Sequence, residues 1–200
     1  MKHHSSRIVL DYWNVQRQNR PAPERADIDP GAVRHALGDT FMLAADFVGQ
    51  LRVRLAGTRV CALFCREIKG ESFAALFSEE SRKQIEPLLD IVCEENTGAV
   101  AGLVGHTAEG VEAELEMLLL PLAHQGQARI RALGVLAPVL PPYWLGERPV
   151  IELTLRTLRH IGGDAERGKP SLVRSPQGRL PHGFVVHRGG RAASDEERTG

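Results

Sequence analysis

Three cysteines are the side chains of this 200-residue chain best suited to act as nucleophiles or metal ligands. Cys61 and Cys65 are four residues apart, so they would share one face of a helix. A zinc site usually needs about four ligands, and the sequence has no second Cys or His pair at a matching spacing. A thiol enzyme would need a base such as His106 beside a thiol of lowered pKa, and the sequence indicates neither. We therefore predict core cysteines, no metal site and no catalytic residues.

A row of acidic residues offers a second kind of chemistry, because paired carboxylates can act as general acid and base. Glu112, Glu114 and Glu116 alternate with apolar residues, which places all three on one face of a strand. The next predicted strand carries Arg129 and Arg131. We therefore predict a solvated charge ladder between the two strands rather than a catalytic pair.

Hydrophobic periodicity predicts the elements that position these residues. In chain order they are a helix over 8–18, a short helix after Asp29, strands over 40–45 and 51–55, short helices up to Phe77, a helix over 78–95, and strands over 99–106, 111–122 and 128–136. The segment 150–161 fits either a strand or a helix, and helix is favoured. Five strands split two and three around a helical segment predict an antiparallel α+β domain.

Alternation on the strand over 111–122 predicts two different sheet faces. Leu115 and Met117 would point inward, and small residues such as Ala132 and Gly134 on the next strand would leave room under the short helices. The outer face becomes apolar after Glu116 and must be covered. The first helix is the candidate cover, from the same chain or from a second copy. We therefore predict a dimer interface of Val9, Tyr12, Trp13, Leu118, Leu120 and Leu133.

Charge and hydropathy exclude several classes of partner. The 25 basic and 25 acidic residues cancel, which gives no reason to expect nucleic-acid or membrane binding. No apolar run is long enough to span a bilayer, and Met1–Ser6 lacks the apolar core of a signal peptide. We therefore expect a cytoplasmic protein with reduced thiols.

Several short blocks of this sequence resemble a family of PAS domains found in proteobacteria. The blocks are Asp11-Tyr12-Trp13, Arg20-Pro-Ala-Pro23, Ala26-Asp27-Ile28-Asp29-Pro30, Arg54-Leu-Ala-Gly-Thr58, Leu63-Phe64, Gly70 with Phe73, Leu120-Pro-Leu122 and His187-Arg-Gly-Gly-Arg191. The resemblance implies a PAS fold, with a five-stranded antiparallel sheet, short helices on one face and an N-terminal amphipathic helix. It also implies a non-catalytic sensory or protein-interaction module that is dimeric through its first helix.

We accordingly expect a bacterial regulatory protein that acts in signal transduction by protein–protein interaction. Its partners would be a second copy in a homodimer and a signalling protein such as a histidine kinase. The alternative is a small-molecule receptor with an apolar cavity between the sheet and the short helices. The walls of that cavity would be Phe41, Val53, Leu55, Phe64, Phe73, Leu89, Leu115 and Met117, and the same residues could equally form a dry core.

No cofactor is predicted. A flavin site would need amide side chains at the inner positions Leu115, Met117, Ile130 and Ala132, which are all apolar. A proximal haem histidine would be expected on or beside the helix over 78–95, which has none, while His106 and His124 fall at predicted strand ends or turns. The predicted domains are an N-terminal helical cap over 1–39, a PAS core over 40–140 and a partly disordered extension over 141–200.

Overall fold

The computed structural model describes residues 1–123 and 131–161, and within them six strands form one antiparallel sheet. The strands are β1 (Thr40–Ala45), β2 (Leu51–Ala56), β3 (Gly98–Thr107), β4 (Glu112–Leu122), β5 (Arg131–Pro138) and β6 (Val150–Ile161). Their order across the sheet is β2-β1-β5-β4-β3-β6. The α-helices are α1 (His4–Arg17), α2 (Thr58–Phe64) and α3 (Glu79–Glu94). Short 3₁₀ turns cover Arg25–Asp27, Pro30–Val33, Leu37–Asp39 and Ala74–Leu76.

The segment over 150–161 is strand β6, so the prediction of a helix there is wrong. β6 pairs with β3 along almost its whole length, from Val150 opposite Thr107 to Ile161 opposite Gly98. The backbone N–H and C=O groups on the outer edge of β3 need partners, and β6 supplies them. Tertiary pairing thus decides between two periodicities that the sequence leaves open, and the sheet has six strands instead of five.

The strands and the long helix otherwise lie close to their predicted positions. β1 has the predicted bounds, and Gly49 turns the chain into β2 with a φ of 85°. The Ser78 hydroxyl accepts a hydrogen bond from the N–H of Ser81 and so caps the start of α3. None of the helices in the described ranges is long and apolar enough to cross a membrane.

Apolar side chains pack on both faces of the sheet. The inner core lies between the sheet and the helices α2 and α3. It includes Leu63, Ile85, Val92, Leu103 and Leu115. The outer core lies on the opposite face and includes Val9, Trp13, Leu118, Leu120 and Val135. The predicted face alternation of β4 is therefore confirmed, because its odd and even positions enter different cores.

Candidate functional site

The predicted ligand cavity on the inner face is filled by the chain's own side chains. Seven of its eight predicted wall residues are buried in the inner core: Phe41, Val53, Phe64, Phe73, Leu89, Leu115 and Met117. The rings of Phe41 and Phe73 stack with their centroids 4.9 Å apart. Phe77 packs edge-on against Phe73 at 5.6 Å. This is the dry-core arrangement that the sequence leaves open.

Gly134 on β5 does not leave the free space that its small size predicts. A Cβ atom built at this position would lie only 2.2 Å from Cζ of Phe41, with the other ring atoms almost as close. The glycine therefore lets the aromatic ring lie directly on the sheet. The room under the short helices is taken by Phe41.

Leu55 is the eighth predicted wall residue, and its inward placement is wrong. The β1–β2 register shifts, with Met42 opposite Leu55 and Leu43 opposite Val53. This bulge gives β2 an extra residue, so Leu55 shares the outer face with Met42 while Val53 faces inward. Leu55 is consequently 47% exposed.

The residues predicted to form a dimer interface are packed against one another within one chain. Val9, Trp13, Leu118, Leu120 and Leu133 are buried in the outer core, and Tyr12 packs against it. The same chain's α1 therefore covers the apolar outer face. These side chains do not form an exposed surface for a second copy, and dimerisation itself stays a prediction.

The aromatic pair Tyr12 and Trp13 of the first sequence block fixes α1 by polar contacts as well as by burial. The indole N–H of Trp13 donates to the carbonyl oxygen of Pro121 on β4 at 2.8 Å. The Tyr12 hydroxyl donates to the carbonyl of Asp27 at 3.1 Å and accepts from the N–H of Asp29 at 2.8 Å. The two side chains thus join α1 both to the sheet and to the segment that follows it.

We call the contacts that Tyr12 and Trp13 make between α1, the sheet and the following segment the N-terminal clamp. Arg20 and Asp27 strengthen this clamp. The Arg20 guanidinium donates to the Asp27 carboxylate at 2.6 Å and to the carbonyl of Gln16 at 2.8 Å. The backbone N–H of Glu24 also donates to this carboxylate at 2.9 Å. The hydrogen bond from Glu24 and the one from Arg20 lower the pKa of Asp27. The first three resemblance blocks therefore share one structural task, which is to hold the N-terminal segment on the outer face.

Glu116 also holds the N-terminal segment. Its position on β4 predicts a solvated charge ladder, but the structure gives it a buried role. Its carboxylate is buried and accepts hydrogen bonds from the backbone N–H groups of Lys2 and His3. Burial raises the pKa of Glu116, but these hydrogen bonds outweigh it and hold the pKa below the ordinary value.

The predicted charge ladder between β4 and β5 is wrong because of the antiparallel register. Glu116 lies opposite Ala137, while Arg131 lies opposite Leu122 at the far end of the strand. Arg129 falls outside the described residues. The pattern within a strand identifies a face, whereas the pairing partner depends on register, which a local pattern does not contain.

A second buried carboxylate ties the start of α1 to the start of α2. Asp39 accepts from the Ser5 hydroxyl at 2.6 Å. Arg59 donates to the two oxygens of Asp39 at 2.6 and 2.7 Å, which is a bidentate pair. No pattern in the sequence links these three residues, because they come together only through the fold.

Two of the three thiols have a raised pKa. Cys61 is partly buried, and burial raises the pKa of its thiol, as do the charge and hydrogen bond of Glu67. Burial, with Asp90 and Glu94 nearby, raises the pKa of Cys93 to about 12. Cys65 is exposed at the end of α2, so its predicted core position is wrong.

The histidine predicted at a strand end or turn lies near the end of a strand. His106 is in β3, where its ring contacts the Thr154 hydroxyl at 2.7 Å and the Glu112 carboxylate at 3.3 Å. His124 falls outside the described residues. Across residues 1–123 and 131–161, no group of three or more His, Cys, Asp or Glu side chains could hold a metal ion.

Comparisons with solved structures return several light-oxygen-voltage and PAS domains. A light-oxygen-voltage domain studied with a flavin analogue is 13% identical, with 55% of this chain and 83% of that chain covered and a TM-score of 0.44. A PAS domain from Colwellia psychrerythraea is 14% identical, with 55% and 97% covered and a TM-score of 0.39. The blue-light photoreceptor Vivid is 13% identical, with 64% and 93% covered and a TM-score of 0.41. No curated protein matches the chain.

A protein-family model described as PAS domain matches residues 1–137. The matched region includes the α1 clamp, both helices over the inner core, strands β1–β4 and nearly all of β5. Because the match covers more than half of the 200 residues, this chain belongs to the PAS-domain family.

Proposed function

We propose that this PAS domain is a cytoplasmic regulatory protein that acts in signal transduction by binding another protein, without catalysis of its own. The partner would be a second copy or a signalling protein such as a histidine kinase. The observation that carries the proposal is the filled inner core, in which the Phe41 ring lies against Gly134. Because the protein's own side chains occupy this space, we favour contacts with other proteins at the surface as the way in which the domain receives and passes on a signal.

The edge strand β6 has an exposed apolar surface that is suited to protein binding. Ile151 is 62% exposed and Leu158 is 40% exposed, although both are large and apolar. Beyond Leu155, the described residues pair with β6 only on its β3 side. An edge strand with free backbone groups and exposed apolar side chains can accept a strand from another protein.

The test uses the tagged full chain to capture partners from lysate of the native host. We expect a specific partner that is retained by wild type and lost by the double variant Ile151→Glu/Leu158→Glu. Leu140→Glu is the matched control, because Leu140 is 80% exposed but lies outside β6. Light scattering of the purified variants shows whether self-association depends on the same residues.

Two results would contradict the proposal. One is a wild-type chain that captures no protein and scatters light as a monomer. The other is a set of captured proteins that the β6 double variant retains as well as the Leu140→Glu control.

A further inference from the structure

A partly enclosed apolar cavity of about 370 Å³ lies on the outer side of the sheet. The segment after α1 contributes Ile28, Val33 and Leu37, and the sheet contributes Met42, Leu55 and Leu133. Cavities that bind small ligands have volumes of about 300–1,000 Å³ and mainly apolar walls. This cavity meets both criteria, and it lies on the opposite face of the sheet from the filled inner core.

Arg25 is the single charged residue among the described residues that line this cavity. Its guanidinium donates one long hydrogen bond, to the carbonyl of Ile28 at 3.4 Å. It forms no ion pair with a carboxylate of residues 1–123 or 131–161, whereas Arg20, Arg52 and Arg59 each do. A cation at an apolar wall with most of its donors free is suited to an anion that brings its own apolar body.

An adjoining groove strengthens the attraction for an anion. It has a volume of about 750 Å³, shares Arg25, Met42 and Leu55 with the cavity, and adds Arg54 and Lys69. No carboxylate of the described residues pairs with Arg54 or Lys69. The approach to the cavity is therefore positively charged, although the whole chain is neutral.

We propose that this cavity binds a small amphiphilic carboxylate, such as a medium-chain fatty acid anion. The apolar chain packs between Val33 and the sheet residues Met42 and Leu133, and the carboxylate pairs with Arg25. An acidic amphipathic peptide would meet the same charges, but the enclosed volume is that of a small ligand rather than of a helix.

The site would couple the ligand to the N-terminal clamp. Val9 of α1 and Leu133 of β5 both line the cavity, so a bound ligand contacts the helix and the sheet together. A ligand that binds only this docked arrangement stabilises it by mass action. The inference does not rest on the protein-binding proposal, because its test contains no partner protein.

Isothermal titration calorimetry of the full chain with decanoate, kept below micelle-forming concentrations, tests the site. Decanol serves as the uncharged probe with a chain of the same length. We expect Arg25→Gln to weaken decanoate binding at least ten-fold, which corresponds to about 1.4 kcal/mol. Decanol binding should be unchanged in this variant, which also shows that the cavity is intact. The control Arg156→Gln removes an exposed arginine on β6 and should bind decanoate like wild type.

Methyl NMR locates the probe on the same samples. Decanoate should shift the methyl signals of Leu55 and Leu133 and leave those of the inner-core Leu115 unmoved. The proposal is overturned by absent decanoate binding, by equal affinity for wild type and Arg25→Gln, or by shifts centred on Leu115. Binding of a Glu-Leu repeat peptide without binding of decanoate would also overturn it.

Discussion

Glu116 shows how much one buried carboxylate contributes to the position of a whole segment. It is 5% exposed, yet it is kept charged by the backbone N–H groups of Lys2 and His3. Replacing this carboxylate by an amide leaves at least one of two partly buried backbone donors without its charged acceptor, which is more costly than losing a surface ion pair.

We expect Glu116→Gln to lower the free energy of unfolding at neutral pH by about 1–3 kcal/mol, as measured by urea denaturation. The pKa of Glu116 is lower in the folded state than its ordinary value of 4.5. Its contribution is therefore full above pH 4.5 and is lost as the pH falls through the folded-state pKa. The gap between wild type and variant should narrow below pH 4.5. Glu114→Gln, an exposed neighbour on the same face, is the control, and a gap that widens in acid would refute this account.

Gly134 offers a second test at the residue scale. In Gly134→Ala the new methyl group would meet the Phe41 ring, which cannot move without disturbing Phe73. We expect a loss of about 1–3 kcal/mol in the free energy of unfolding. In a Phe41→Leu background the same substitution should cost clearly less, because the smaller side chain leaves space. Equal costs in the two backgrounds would show that the ring does not fill the space over Gly134.

At the scale of elements, α3 is a helix with a proline in its interior, which opposes helix formation. Pro87 lies in the middle of this helix and is exposed, and it has no N–H to donate to the preceding turn. The apolar stripe of Ile85, Leu88, Leu89 and Val92 is buried in spite of it. Tertiary packing therefore holds a helix that its own sequence interrupts.

We expect Pro87→Ala to raise the free energy of unfolding by about 2 kcal/mol. The helix gains a hydrogen bond and a better helix former, worth about 3 kcal/mol, and the unfolded chain gains some freedom, worth about 1 kcal/mol. Pro30→Ala is the matched control, since Pro30 begins a 3₁₀ turn, where proline is favourable. A Pro87→Ala variant no more stable than wild type would mean that the proline relieves a strain not visible in the helix.

Elements also show how far the sequence predicts this fold. The inward positions of Leu115 and Met117 and the bounds of the long helix, to within one residue, follow from local hydrophobic periods, and they are confirmed. Strand β6 and the outward turn of Leu55 depend on pairing with distant strands, so a local pattern does not determine them. The same holds for the carboxylates of Glu116 and Asp39, whose partners lie far away in sequence.

At the scale of the whole molecule, the sheet separates a packed inner face from an outer face that carries a cavity. The inner side is a packed core closed by α2, α3 and three phenylalanine rings. The outer side carries the clamped helix α1 and a cavity whose Arg25 pairs with no carboxylate of the described residues, and the sheet ends in the exposed edge of β6. We therefore propose that regulation acts at the outer face and at the edge of the sheet, away from the interior.

A crystal structure under xenon pressure tests this division most directly, because xenon enters apolar spaces that side chains leave empty. We expect no xenon between the sheet and the helices α2 and α3, in the region of Phe41, Phe73 and Leu115. A xenon atom or a copurified molecule at that place would contradict it, and would make the interior the sensing site.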